Sequence, residues 1–211
     1  MKWLKIVVFL YITITMYADC KNYTKHERWE QISNQRIFSV SGLVHHKNGF
    51  LIVHDNKRDN QPRISFFKNN KISPLIWPDS SLPYDLEAIS IIPSFKNQYI
   101  LMESTGKCYK IKIEQRNNQI TLMNVFQLET NEGMNLEGCI IVKGNFGYKI
   151  MYGDRGSDLR KSTLFIGDFN PINNNITNLV KHIIDLPAPS EHKRNIADLG
   201  IDKKNNLWTS A

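Results

Sequence analysis

The sequence predicts an all-β chain built as a β-propeller of four-stranded antiparallel blades, and three observations predict it. A strand-start pattern recurs at Ser41–Lys57, Asp85–Ile113 and Asn135–Ser157, and begins again at Asn195. Each full copy opens an apolar strand with a small or acidic residue, passes through a polar turn, and closes a second strand on an acid. Glu87 and Glu137 fall 50 residues apart, a period that fits a repeat made of short strands. Helical periodicity is missing over every long window, while Asn and Gly punctuate the chain where tight turns belong, as at Asn69-Asn70, Gly106, Asn117-Asn118 and Gly144.

Taken in order, the first unit predicts strands over Ile37–Val44, Phe50–His54, Arg63–Lys68 and Ile72–Trp77. The second predicts Leu86–Ile92, Tyr99–Glu103, Cys108–Ile113 and Ile120–Leu128. The third predicts Leu136–Val142, Tyr148–Tyr152, Thr163–Asp168 and Leu179–Leu186. Ala197–Ile201 and Leu207–Ser210 open a fourth. Short alternating runs of this kind could also build a sandwich, and the repeated strand start tips the balance towards a propeller. The count reaches about three and a half blades, where propellers have four to eight. The expectation is an incomplete propeller over residues 36–211, with a compact four-bladed closure as the alternative.

The 211 residues suffice for one domain with a sizeable core. Residues 1–20 read as a secretory signal peptide, with Lys2 and Lys5 ahead of an apolar run to about Tyr17. That run is too short for a confident membrane span. Residues 21–35 are a polar segment, and the remainder holds no stretch fit to span a bilayer, so the body is expected to be secreted or periplasmic. Cys108 and Cys139 would lie on neighbouring blades, as a disulfide or as two buried thiols. The formal charge is +7, but the bases are scattered and no basic run interleaves with aromatics, which argues against nucleic acid. A diffuse positive field modestly favours an anionic small molecule, such as a phosphoester substrate, or an anionic surface, and the competing reading is a solvated basic face.

Two positions carry the candidate chemistry. One lies on the inner strand, at Ser41-Gly42, Glu87, Glu137 and Asp198. The other ends the next strand, at Asp55, Glu103, Asp154 and, in the unfinished unit, Ser210. A propeller would bring both towards the axial opening, where several carboxylates repel one another unless protons or a cation intervene. Hard oxygen donors in a roomy ring suit Ca²⁺ first and Mg²⁺ second. Glu87 and Glu137 are therefore the expected metal ligands, with Asp55 and Asp198 as further ligands. Glu103 or Asp154 is the candidate catalytic base. The competing reading is that these acids cap strand ends and bind turn amides, Lys or Arg. Asp154-Arg155-Gly156-Ser157-Asp158 matches only part of an acidic calcium loop and reads as a turn. The histidines show no ligand spacing, and no nucleophile elbow, P-loop or dinucleotide fingerprint is present.

Asp85-Leu86-Glu87-Ala88-Ile89, followed by Ile100–Ser104, resembles the strand pair of exported bacterial propellers labelled "esterase-like activity of phytase" and of the related SdiA-regulated proteins. Asn135-Leu136-Glu137-Gly138 and Ser41-Gly42-Leu43 extend the resemblance, which runs from about Phe38 to the end. It implies an exported propeller, a cation near the axis and hydrolysis of a phosphoester or ester. Ala88 departs from the usual Gly, Asp198 stands where Glu is usual, and later blades are missing. The rival function is a non-catalytic binding module or scaffold, since a propeller supports either role.

Overall fold

The computed structural model describes residues 31–114, 117–157, 160–184, 196–202, 204 and 206–210. The expected signal peptide, most of the expected polar segment after it, Asp158 and Leu186 lie outside them. Inner-strand alternation and turn chemistry give fourteen strands among the described residues. The first blade joins β1 (Gly42–His46), β2 (Gly49–Val53), β3 (Ile64–Lys68) and β4 (Lys71–Pro74) in sequential antiparallel order. The second joins β5 (Leu86–Ile91), β6 (Gln98–Glu103), β7 (Lys107–Ile113) and β8 (Ile120–Gln127) in the same way. The third joins β9 (Leu136–Gly144), β10 (Gly147–Asp154), β11 (Ser162–Asn170) and β12 (Asn175–Ile184). β13 (Asp198–Ile201) and β14 (Leu207–Ser210) pair as a hairpin that opens a fourth.

Each blade's first strand packs on the next blade's first strand: β1 on β5, β5 on β9, β9 on β13. The four inner strands therefore line one axis. Close approach demands small residues there. A Cβ on Gly42 would meet the Ala88 Cα at 3.1 Å, and one on Gly138 would meet the Leu199 nitrogen at 2.7 Å. Between blades, the Ser41 hydroxyl donates to the Leu86 carbonyl at 2.6 Å, and the Ile141 N–H donates to the Ser90 hydroxyl at 2.9 Å.

The core confirms the arrangement through strand parity. On β6, Tyr99 and Leu101 point to a cluster shared with Leu51, Val53 and Ile64 of the first blade. Ile100 and Met102, one residue out of step, join Ile141, Ile150, Tyr152 and Phe165 of the third. Successive side chains of a strand face opposite ways, so a blade buried on both faces feeds two cores. A half-solvated sandwich sheet would alternate apolar with polar instead. Tyr152 and Phe165 stack with centroids 4.7 Å apart, and Trp77 meets Tyr109 edge-on at 5.4 Å. Cys108 and Cys139 are both free, buried thiols.

Three expected elements differ: β4 stops at Pro74 rather than Trp77, β12 starts at Asn175 rather than Leu179, and the first strand is the largest change. Ile37–Val44 is not a single strand: Arg36–Phe38 forms a short 3₁₀ turn, and β1 starts only at Gly42. The Phe38 and Ser39 N–H groups close that turn on the Gln35 and Arg36 carbonyls, each at 3.0 Å. The turn carries the Arg36 guanidinium to Asp55, which a strand running through this segment would not do. No described helix is long and apolar enough to cross a membrane.

Candidate functional site

The two inner-strand glutamates owe their direction to backbone irregularities. On β5 the pairing with β6 jumps from Leu86 opposite Glu103 to Ala88 opposite Met102, so Glu87 is the extra residue of a bulge. On β9 the pairing jumps from Leu136 opposite Asp154 to Gly138 opposite Gly153, and Glu137 is the extra residue. A bulge lets its extra residue leave the strand's strict alternation and re-aims its side chain. The same device in consecutive blades brings Glu87 and Glu137 within electrostatic reach of each other.

Burial and crowding then set the protonation of this pair. Burial pushes the Glu87 carboxyl up to about 8, helped by the negative charges of Glu137, Asp85 and Asp55. Burial also raises Glu137, while the Arg155 guanidinium, 3.3 Å from its carboxylate, pulls the other way. Asn135 donates to Glu137 Oε1 at 2.7 Å. Both shifts favour a proton held by the pair at a pH where ordinary carboxyls have lost theirs.

The remaining expected residues have protein partners of their own. Asp55 takes a two-pronged contact from Arg36, at 2.8 and 2.7 Å, and that guanidinium holds its carboxyl below the ordinary range. Glu103 is buried and accepts from the Tyr84 N–H at 2.8 Å, the Tyr109 hydroxyl at 2.5 Å and the Thr105 hydroxyl at 3.2 Å. Asp154 is fully buried, accepts from the Asn135 N–H at 3.0 Å, and is ion-paired with Arg160. Asp198 keeps an exposed surface, yet its carboxyl is raised by partial burial, as on a concave wall. Its oxygen accepts from the Leu199 N–H at 2.7 Å.

Glu103 and Asp154 repeat one role. Each ties down the backbone N–H found 19 residues earlier, just before the inner strand of its own blade. Their carboxylates fasten blade entry. The structure thus brings together Glu87 and Glu137, with Asp55 near them, and sets Glu103 and Asp154 into the frame beneath.

Sequence reasoning missed four members of the cluster. Asp85 receives Lys57 at 3.0 Å and the Ser104 hydroxyl at 2.9 Å. Arg36, Lys57 and Arg155 supply the counter-charges. Asp85 had a signal, because it and Asn135 precede the Leu of the repeat at the same position.

A tightly held calcium ion takes six to eight oxygens. Among the described residues no group of three or more His, Cys, Asp or Glu converges closely enough to hold a metal. Asp55, Asp85 and Asp154 already serve cationic side chains. Glu87 and Glu137 by themselves would supply only part of such a shell.

Sequential four-stranded meanders, joined inner strand to inner strand about one axis, define a β-propeller array with a carboxyl cluster at one end of its inner strands. Among solved structures the chain is similar to the WD40 β-propeller domain of Doa1, at 12% identity and a TM-score of 0.43, over 77% of this chain. The chain spans 43% of that structure's length. No protein-family model matches the chain, and no curated protein matches it.

Proposed function

We propose that this chain is a non-catalytic binding propeller whose axial carboxyl cluster receives a cationic group of its ligand, such as an amine or a basic side chain. One observation carries the reading. Glu103 and Asp154, the acids best placed in sequence to act as bases, spend their oxygens on backbone entry points, tyrosine and arginine. A base must reach the proton it removes, and neither buried carboxylate is open to do so. Glu87 differs, because its electrostatic partners are the neighbouring acids Glu137, Asp85 and Asp55, while Glu137 beside it also meets Arg155. An incoming cation would displace the shared proton and relieve that repulsion.

The reading keeps the secreted or periplasmic destination expected from the leader-like start. Sequencing the N-terminus of exported protein tests it, and an intact Met1 on cell-retained protein would count against it.

The central test pairs calorimetry with a turnover screen. Calcium and magnesium titrations are expected to show at most millimolar binding, as two carboxylates allow. Phosphomonoesters and aryl esters are expected to show no turnover, with or without calcium. Micromolar calcium affinity abolished by Glu87→Gln and Glu137→Gln, together with chelator-sensitive hydrolysis, would overturn the reading in favour of a metal-assisted hydrolase of the phytase or esterase-like kind.

A further inference from the structure

The inner strands have two ends, and they differ in charge. At the Ser41–Leu86 end lie Asp55, Asp85, Glu87 and Glu137. At the far end the β1–β2 and β5–β6 turns flank an open cavity of about 370 Å³. Its wall holds Lys47, Lys96, His45, His46 and Ser94, together with Ile91, Phe95 and Tyr99. None of these is a carboxylate. Lys143 of the third blade adds another cation, its ammonium donating to the Ser94 hydroxyl at 3.2 Å. Lys47 donates to the neutral amide of Asn118 at 2.8 Å.

A second feature is an imidazole in the wall. His46 is 2% exposed. Its Nδ1 shares a hydrogen bond with the Tyr99 hydroxyl at 2.6 Å. Its Nε2 is buried without a hydrogen-bond partner, so one polar atom of this wall is left unmatched by the protein. The cavity also has an apolar side, since Ile91 is 46% exposed beside the Phe95 ring.

We propose that this cavity is a binding site for a small amphiphilic oxyanion, a phosphate or carboxylate carried on an apolar body. Lys96, Lys47 and the Ser94 hydroxyl receive the charged head, and Ile91 and Phe95 receive the body. The volume falls within the range of small-molecule pockets. The site is separate from the axial carboxyl cluster, and it places an anionic ligand where the charge is complementary. An anion at the acidic end would face repulsion instead.

The test uses the whole chain, with phenyl phosphate, benzoate and inorganic phosphate as probes. Calorimetry gives affinity, and amide shifts of Ser94–Asn97 give location. Phenyl phosphate or benzoate is expected to bind one to one and to move those amides. Inorganic phosphate is expected to bind at least about tenfold more weakly, for want of the apolar contact. The exposed-lysine variants Lys96→Met and Lys47→Met are each expected to weaken binding about tenfold, as loss of one charge-assisted contact does. Lys149→Met, which removes a charge from the third blade, is expected to leave affinity unchanged. Equal affinity for all three probes, unmoved Ser94–Asn97 amides, or the same loss in Lys149→Met as in Lys96→Met would overturn the proposal. Which probe binds tighter distinguishes phosphate from carboxylate as the head.

Discussion

Replacing Glu87 by Gln tests the axial pair most directly. The carboxyl is raised from its ordinary 4.5 to about 8, first by burial and then by Glu137 and Asp85. Between those values the folded chain holds a proton that the unfolded chain has released. Stability from this group is complete below pH 4.5 and is lost as pH rises through 8. Full linkage over that window amounts to about 5 kcal/mol. Glu87 is only half-buried, and water screening reduces the expectation to about 2 kcal/mol. Gln keeps the neutral shape and cannot ionise. At pH 5 the variant is therefore expected to match the parent, and at pH 9 to exceed it by about 2 kcal/mol. The assay is urea unfolding at one-unit steps from pH 5 to 9, in the presence of a chelator. His46 and His54, both lowered by burial, add stability as pH rises through their ordinary 6.5, but they do so equally in both proteins. The difference between the two curves isolates Glu87. A difference that stays flat across the range would refute the shared proton, and with it the convergence of the two glutamates.

Three further outcomes follow from the frame. Asp154→Asn leaves the Arg160 charge beside a buried amide and is expected to cost about 3 kcal/mol in urea unfolding, partly restored by adding Arg160→Met; a cost under about 0.5 kcal/mol would place the pair in solvent. Gly138→Ala puts a Cβ 2.7 Å from the Leu199 nitrogen and is expected to cost about 2 kcal/mol, more than Gly42→Ala, whose nearest contacts stand at 3.1 Å; the reverse order would show that the third and fourth blades do not meet there. Cys108 and Cys139 are expected to ignore a thiol reagent until the chain unfolds, because burial pushes the Cys139 thiol up to about 12 and also raises Cys108 well above its ordinary value; rapid labelling of folded protein would contradict their burial.

The blades were legible in the sequence because the inner and second strands repeat short, nearly continuous apolar runs, which a sheet buried on both faces requires. The Glu87–Glu137 meeting was legible for the same reason, since equal positions in consecutive blades face one axis. The bulges that aim these side chains were not, because a one-residue slip between Leu86 and Ala88 leaves no mark in composition. Nor were the tasks of Glu103 and Asp154. A carboxylate's role is fixed by what comes to meet it, and here that is an N–H 19 residues earlier, at the end of an irregular segment. The start of β1 was misplaced because Ile37-Phe38 is apolar enough for a strand, while the Arg36–Asp55 contact holds the segment in a turn.

The opposed charges at the two ends of the inner strands follow from the repeat itself. An inner strand enters through a Leu-acid step, at Leu86-Glu87 and Leu136-Glu137, and leaves near a lysine: Lys47 and Lys96 in the turns, Lys143 at the end of β9. Inner strands of successive blades run the same way, since Ser41 meets Leu86 near one end while Lys143 meets Ser94 at the other. Stacking the blades therefore adds like charge to like at each end. Glu137 and Asp85 thereby help hold the proton on Glu87, and no carboxylate lines the distant cavity. Reversing one cavity lysine, as in Lys96→Glu, should abolish phenyl phosphate binding while leaving the pH dependence set by Glu87 unchanged, because the length of an inner strand and a screening solvent separate the two. A shifted Glu87 profile in that variant would mean that the two ends are coupled and that the charges do not act locally.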